Sequence, residues 1–329
     1  MAHRARRSGM SDRVQPRALT HRTHLVDTLL AGEAGMVGVF THELADGSVL
    51  LIEAGSGATT DTVIQGLSDL GIQPSDVRAL VVTHVHLDHA AGAGHLAAWS
   101  DAPVYVHPLG VRHLANPTRL WNSAERIYGD AMQRLWGRMD PIPEDRLRPL
   151  EDGHPLDLGG SRFQVLHTPG HARHHLTLID SEGSAYAGDV AGILLEDVPI
   201  IRPALPPPDI DLELAAASCR ALAQHAPDRL LLTHYGAVEG QEAVQRHLAT
   251  VPERNQAWAN EVQRGIEAGE DYDALVARVK QLEQAELDAA NVEGDPRHRY
   301  TAMSNADMTV MGLVRHYAKH VAVDADGGA

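Results

Sequence analysis

The sequence predicts a layered α/β sandwich built from two similar halves, followed by a helical extension. Three observations carry that expectation. Apolar strand-like runs alternate with amphipathic helical runs between about residues 25 and 240. Each half holds a buried-strand run that stops on a histidine, VVTH at 81–84 and LLTH at 231–234. Beyond about residue 240 the pattern is helical only.

In the first half, MVGVFTHEL and VLLIEAG flank the turn ADGS and read as a β-hairpin, with Asp-Gly at the turn. A helix follows from Asp61, a suitable N-cap, to Gly71, with Val63, Ile64, Leu67 and Leu70 on one face. Val77–Val82 is a buried-strand run that ends directly in Thr83-His84. In the second half, RFQVLHTPG, HLTLID and SAYAGD read as three short strands. The proline-rich loop 203–208 leads to a helix from Asp211 to His225, and RLLLTHYG is a further buried strand.

Two segments fall outside this scheme. Asn116-Pro117 opens a strongly amphipathic helix expected over 117–139, whose stripe includes Leu120, Trp121, Ile127, Tyr128, Leu135, Trp136 and Met139. Core packing is its leading reading; a wall of a substrate pocket or a homodimer face are the alternatives. Further helices are expected at 241–267, 272–289 and 304–320. The organisation is thus a basic, disordered lead-in at 1–20, a main domain at 21–240 with a helical insertion near 108–140, and an extension at 241–329. That extension, carrying Met303, Met308, Met311, Leu313, Val314 and Tyr317, is expected to fold back over the chemistry and shape an apolar pocket.

Composition narrows the function classes. With 43% hydrophobic and 22% charged residues the 329-residue chain is globular. A formal net charge of -16, with lysine present as Lys280 and Lys319, argues against a nucleic-acid partner. The lone Cys219 lies in an Ala-rich helical run, so neither an intrachain disulfide nor a Cys-x-x-Cys metal site is expected. No apolar run approaches the roughly 18–20 residues of a membrane span. A reduced, cytoplasmic setting with a small-molecule substrate fits best. Against 2 phenylalanines stand 21 histidines, and imidazole is the commonest metal-binding side chain.

The chemistry concentrates in THVHLDHAAG at 83–92, where His84, His86, Asp88 and His89 crowd behind a buried strand. A loop can turn such neighbours toward common points, whereas on a helix positions 84 and 86 would diverge by about 200°. TPGH at 168–171 puts His171 on a tight turn, Asp189 ends a strand in GD, and His234 closes the second half. Four strand ends delivering His or Asp outweigh the alternative of a solvated His-rich loop. Imidazole and carboxylate donors without thiolate suit Zn²⁺, Fe or Mn²⁺. Two such ions would lower the pKa of a bridging water and polarise the bond under attack.

HxHxDH, TPGH, a strand-end GD and a late strand-end His, in that order over roughly residues 25–240, resemble the metallo-β-lactamase superfamily. The resemblance implies a four-layer αββα sandwich. It implies a first metal on His84, His86 and His171, a second on Asp88, His89 and His234, and Asp189 bridging them. It further implies hydrolysis by a metal-bridging hydroxide, with Asp88 passing a proton to the leaving group. Family members often carry LIDTG where this chain has LIEAG, so Glu53 replaces an Asp that orients a ligand histidine, or else marks a surface position. His175 matches the second His of the longer form TPGHTPGH and is expected beside the ligands; His174 replaces its Gly. Tyr235 is read first as ordinary packing, with a hydrogen bond to a substrate oxyanion as the alternative. A contact between Arg202 and an anionic substrate is the lesser of its two readings, behind a structural role.

The leading expectation is a two-metal hydrolase of an ester, thioester or lactone, similar to glyoxalase II and quorum-quenching lactonases. The Lys/Arg cluster with which glyoxalase II grips glutathione has no match. The alternative is a persulfide dioxygenase-like oxidoreductase with one iron on residues matching His84, His171 and Asp189. Nucleic-acid processing and a non-catalytic interaction module rank below both.

Overall fold

The computed structural model describes residues 14–303 and 305–326. Of the lead-in expected at 1–20, residues 1–13 lie outside the described residues. The remainder is corrected: Arg17–Ala18 (β1) pairs antiparallel with Thr23–Asp27 (β2), so regular structure begins before residue 21.

Strands β3 (Gly38–Glu43) and β4 (Val49–Ile52) form the expected hairpin. All four β4 residues are buried because the sheet is covered on both sides. Val49 and Leu51 face the helix-covered core, and Leu50 and Ile52 face the second sheet. This alternation explains why VLLI is continuously apolar. Parallel pairing then adds β5 (Val77–Val81), β6 (Val104–Val106) and β7 (Leu147–Pro149), giving the order β1 to β7. The helix α1 (Thr60–Asp69) buries Val63 and Leu67 against this face. Its N-cap is Thr59 rather than the expected Asp61, which sits inside the first turn. There the carboxylate complements the positive helix end.

The second sheet runs β13-β12-β11-β10-β9-β8: Gly236–Glu239, Arg229–Leu232, Ser184–Tyr186, Leu176–Asp180, Ser161–His167 and Leu156–Leu158. It is antiparallel except for the β11/β12 pair. Phe40, Leu50 and Val81 of the first sheet pack against Phe163, Leu178 and Leu231 of the second. The outer face of the second sheet is covered by α7 (Leu212–Gln224), N-capped by Asp211, and by the start of α8 (Gln241–Glu267). Helix, sheet, sheet, helix are therefore the four layers.

Other helices refine the expectations. The segment after His86 is not all loop: α2 (Leu87–Ala90) is one helical turn carrying Asp88 and His89, followed by α3 (Ala93–Ser100). The insertion holds α4 (Pro108–Ala115), α5 (Thr118–Tyr128) and α6 (Met132–Trp136). The single helix expected over 117–139 is thus corrected to two, broken at Gly129 with φ +48 and ψ -127, a state closed to side-chain-bearing residues. After α8 come α9 (Tyr272–Ala289), α10 (Gly294–Met303) and α11 (Ala306–Asp326). The helix α10 has no counterpart among the elements expected from the sequence. Among the described residues, no helix is long and apolar enough to cross a membrane.

Candidate metal centre

The strand ends of both sheets meet at one point. Gly38 N–H, at the start of β3, donates to the Thr233 carbonyl past the end of β12 (3.0 Å), tying the sheets together there. Around this seam His84, His89, His171, Asp189 and His234 are buried, while His86 and Asp88 are half-buried and form the open side.

Hydrogen bonds assign the ring tautomers. His171 Nδ1–H donates to the Ala204 carbonyl and His234 Nδ1–H to the Met36 carbonyl, both at 2.9 Å. His89 Nδ1–H donates to Glu53 Oε1 at 3.0 Å. Thr83 gives its hydroxyl proton to Glu53 Oε1 (2.6 Å), so its oxygen is free to accept from His84 Nδ1–H (3.0 Å). In all four rings Nδ1–H is committed to an oxygen acceptor and Nε2 faces inward, the arrangement expected of metal-ligating histidines.

Those nitrogens converge. His86 Nδ1 lies 3.0 Å from His84 Nε2 and 2.8 Å from His171 Nε2. His89 Nε2 and His234 Nε2 are 3.2 Å apart. The Asp189 carboxylate reaches both groups: Oδ2 is 3.3 Å from His171 Nε2, and Oδ1 is 3.2 Å from His89 Nε2 and 3.4 Å from His234 Nε2. Asp88 Oδ2 adds a contact to His234 Nε2 at 3.5 Å. Nitrogens sharing one ion at ~2.0–2.1 Å and tetrahedral angles would stand roughly 3.3 Å apart, so the spacing fits. Three overlapping triads can each hold a cation: His84/His86/His171, His84/His89/Asp189 and Asp88/His89/His234. Asp189 Oδ1 is buried without a hydrogen-bond donor among the described residues, which is costly for a carboxylate unless a cation answers it. The donor set therefore fits divalent metal.

The electrostatics agree. Burial holds His84 and His86 well below the ordinary imidazole range, aided by neighbouring rings, so both are neutral donors. At His89 and His234 burial is outweighed by the surrounding carboxylates, Asp189 foremost, which lift both, so each Nε2 takes a proton that a bound cation would replace. At Asp189 burial is likewise outweighed, by His89, His171 and His234, and the carboxyl stays ionised.

Glu53 is fully buried beneath this cluster rather than at the surface. It accepts from Thr83 N–H (3.2 Å), the Thr83 hydroxyl, His89 and the Thr233 hydroxyl (3.2 Å). The threonines of VVTH and LLTH thus share one carboxylate, which gives the repeated Thr-His pair a physical reason. Glu53 holds φ +71, a left-handed state costing roughly 1–2 kcal/mol outside glycine. His175 accepts the Asp189 N–H at Nε2 (3.0 Å) and donates from Nδ1 to Thr168 Oγ1 (2.8 Å), so it fixes the backbone of Asp189.

Two candidate roles are corrected. Tyr235 does not present its hydroxyl to the cleft; it donates to Asp27 Oδ2 (2.8 Å), and the same carboxylate accepts from Leu29 and Gly35 N–H. Arg202 is fully buried and paired with Glu283 (2.8 Å), out of reach of a substrate. Sequence reasoning missed the carbonyls of Met36 and Ala204, which no side-chain motif reports. It also missed an imidazole rim beside the open side. The His174 ring lies 6.1 Å from those of His86 and His113, and His107 stacks on His167 at 4.4 Å. Burial pushes His174 down to about 3, and burial with His167 pushes His107 down to about 4, so these two rings are neutral near pH 7.

Two facing sheets between helical layers, with His and Asp side chains gathered at one edge, define an αββα protein with a candidate metal centre. The profile of the Metallo-beta-lactamase superfamily matches residues 31–234, and the chain belongs to that superfamily. It is 29% identical over 194 residues to the metallo-β-lactamase fold-containing protein ST1585 of Sulfurisphaera tokodaii, covering 58% of this chain and 72% of that one. A hydroxyacylglutathione hydrolase of Xylella fastidiosa is 27% identical over 145 residues, 44% of this chain and 42% of that protein. In structure, a metallo-β-lactamase family protein of Thermus thermophilus superposes with a TM-score of 0.66 at 22% identity, covering 93% of this chain and 96% of that one. The crystal structure of ST1585 gives 0.60 at 24% identity, over 70% and 86% respectively. These structural likenesses extend the fold alone.

Proposed function

We propose that this chain is a two-metal hydrolase of a small ester, thioester or lactone. The observation that carries the reading is Asp189, whose two oxygens face two separate ligand groups and whose Oδ1 lacks a donor among the described residues. His84, His86 and His171 would hold one ion and Asp88, His89 and His234 the other, with Asp189 between them. When bound there, two divalent ions, most simply Zn²⁺ with Mn²⁺ or Fe as alternatives, lower the pKa of a water and polarise the scissile bond. The remaining work falls to the chain. Burial at Asp88 is outweighed by His89 and His234, which keep its carboxyl below the usual range and ionised. Half-buried at the open side, Asp88 can receive a proton and pass it to the leaving group. The neutral rim of His107 and His174 favours a substrate that is uncharged where it meets them. The likeness to a hydroxyacylglutathione hydrolase supports thioesters as first candidates.

Elemental mass spectrometry of protein purified without added metal tests the reading, followed by a panel of esters, thioesters and lactones. Two equivalents of zinc or manganese with hydrolysis of a panel member are expected. One equivalent of iron, with oxygen uptake on persulfides and no hydrolysis, would replace it with the dioxygenase alternative.

A further inference from the structure

The chain between Asp189 and Pro206 leaves the second sheet and touches three of the proposed ligands before it returns. Gly192 N–H donates to the carbonyl of Asp189 itself (3.1 Å), and Leu194 N–H donates to the carbonyl of His234 (2.6 Å). Ile193 and Arg202 exchange both backbone bonds, at 3.0 and 2.8 Å, which closes the excursion into a strap. Two residues on, Ala204 offers the carbonyl that orients His171. Pro203 stands between them, and its ring fixes the torsion through which a shift of Arg202 would reach that carbonyl.

The Arg202 side chain turns away from the metal centre into the C-terminal helices. It lies between the rings of Trp258 on α8 (4.9 Å) and Tyr300 on α10 (4.8 Å) and pairs with Glu283 on α9. Leu205 joins the apolar core shared by α8, α9 and α11. Helix α11 comes so near the strap that a Cβ on Gly312 would collide with the Leu205 carbonyl oxygen. The strap is therefore held between the proposed ligands on one side and the helical extension on the other.

We propose that Arg202 is a positioning residue: the C-terminal helices grip it and so set the Ala204 carbonyl, the aim of His171 and the cation affinity of the His84/His86/His171 group. The inference rests on the metal-centre reading above. It assigns helices α8 to α11 a part in metal binding although none of the proposed ligands comes from them.

The test uses the full chain, with Zn²⁺ titrated against a competing chelator, the Co²⁺ absorption spectrum, and melting of the metal-free protein. In Arg202→Met/Glu283→Leu both charges leave together, which spares the fold an orphaned ion. Melting close to that of the parent is expected, with zinc affinity lowered about 10-fold or more and an altered cobalt spectrum. Glu283→Gln, which keeps a hydrogen-bonding partner, is expected to lower zinc affinity about 3-fold, below the full range for lost outer contacts. Parental zinc affinity and cobalt spectrum in either folded variant would overturn the proposal and leave the pair a structural feature only. If the parent chain itself takes up neither ion, the metal-centre reading fails first and the proposal falls with it.

Discussion

Asp189 is where the demands on single residues are greatest. Its carboxylate faces His171 on one side and His89 with His234 on the other, and its own N–H is held by His175. An amide in its place would aim an N–H at one lone-pair group and carry no charge. Asp189→Asn should therefore fold, because the amide is nearly isosteric, yet lose cations at both groups. Metal content is expected to fall to one equivalent or less, with affinity down at least about 100-fold, the upper range for disturbed outer partners. Retention of two equivalents would remove Asp189 from the centre. At this scale much was legible in sequence: the seven proposed ligands meet within one cluster because the segments that carry them leave strand ends on the same side of the two sheets. For Arg202 and Tyr235 the structure selects buried packing over the substrate contacts that were their alternative, since proximity to a site along the chain does not say which way a side chain turns. The carbonyls of Met36 and Ala204 were illegible, because a backbone acceptor is the same in every residue.

Among the elements, the turn between β11 and Asp189 bears most directly on the candidate centre. Gly188 has φ +48, and a Cβ there would stand 2.6 Å from both His175 Nε2 and Thr83 Oγ1. Gly188→Ala must displace both groups that set Asp189 and His84, or shift the turn itself. We expect metal affinity to fall about 10- to 100-fold, with a smaller proportional loss in urea resistance of the metal-free chain. Equal losses in both would mean that the turn serves the fold rather than the centre. Helix and strand periodicity was the most legible information at this level: α8 and α9 span the residues read from the pattern, 241–267 and 272–289. The break at Gly129 was not, because the apolar stripe continues in phase across it from Tyr128 to Trp136, which still meet edge to face at 5.1 Å. Side-chain pattern reports the face of an element and is silent about a backbone that leaves helical torsions for one residue.

For the whole molecule, the extension is bound into the layers rather than appended to them. Val244, Leu248 and Val251 complete the core beneath α7, and Trp258 and Tyr300 enclose the Arg202 guanidinium. Removing residues after 240 would bare that core and orphan a buried cation whose pairing loss alone is on the order of 3–5 kcal/mol. A chain ending at residue 240 is therefore expected to be insoluble; a soluble, metal-binding product would contradict this. Stability should also depend on acid. His42, between the sheets, is held below the ordinary imidazole value by burial against the pull of Asp180, and His107 lies near 4. Lowered folded values mean that the neutral forms support folding. Their contribution is complete above the unfolded value of about 6.5 and is lost as pH falls through the folded values. Urea midpoints of metal-free protein should drop between about pH 7 and pH 5, and a flat profile would refute the assignment.

The strap also bears on timing. The proposed ligands run from His84 to His234, but the grip on Arg202 is supplied by residues as far along as Glu283 and Tyr300. A ribosome delivers the chain from its N-terminus at about 5–20 residues per second, so all the ligands emerge seconds before the helices that steady His171. Cation capture by the finished site is then an event of release, not of synthesis. Stalled nascent chains from which His234 and α8 have emerged but α9 to α11 have not should exchange bound zinc freely, whereas released chains should hold it.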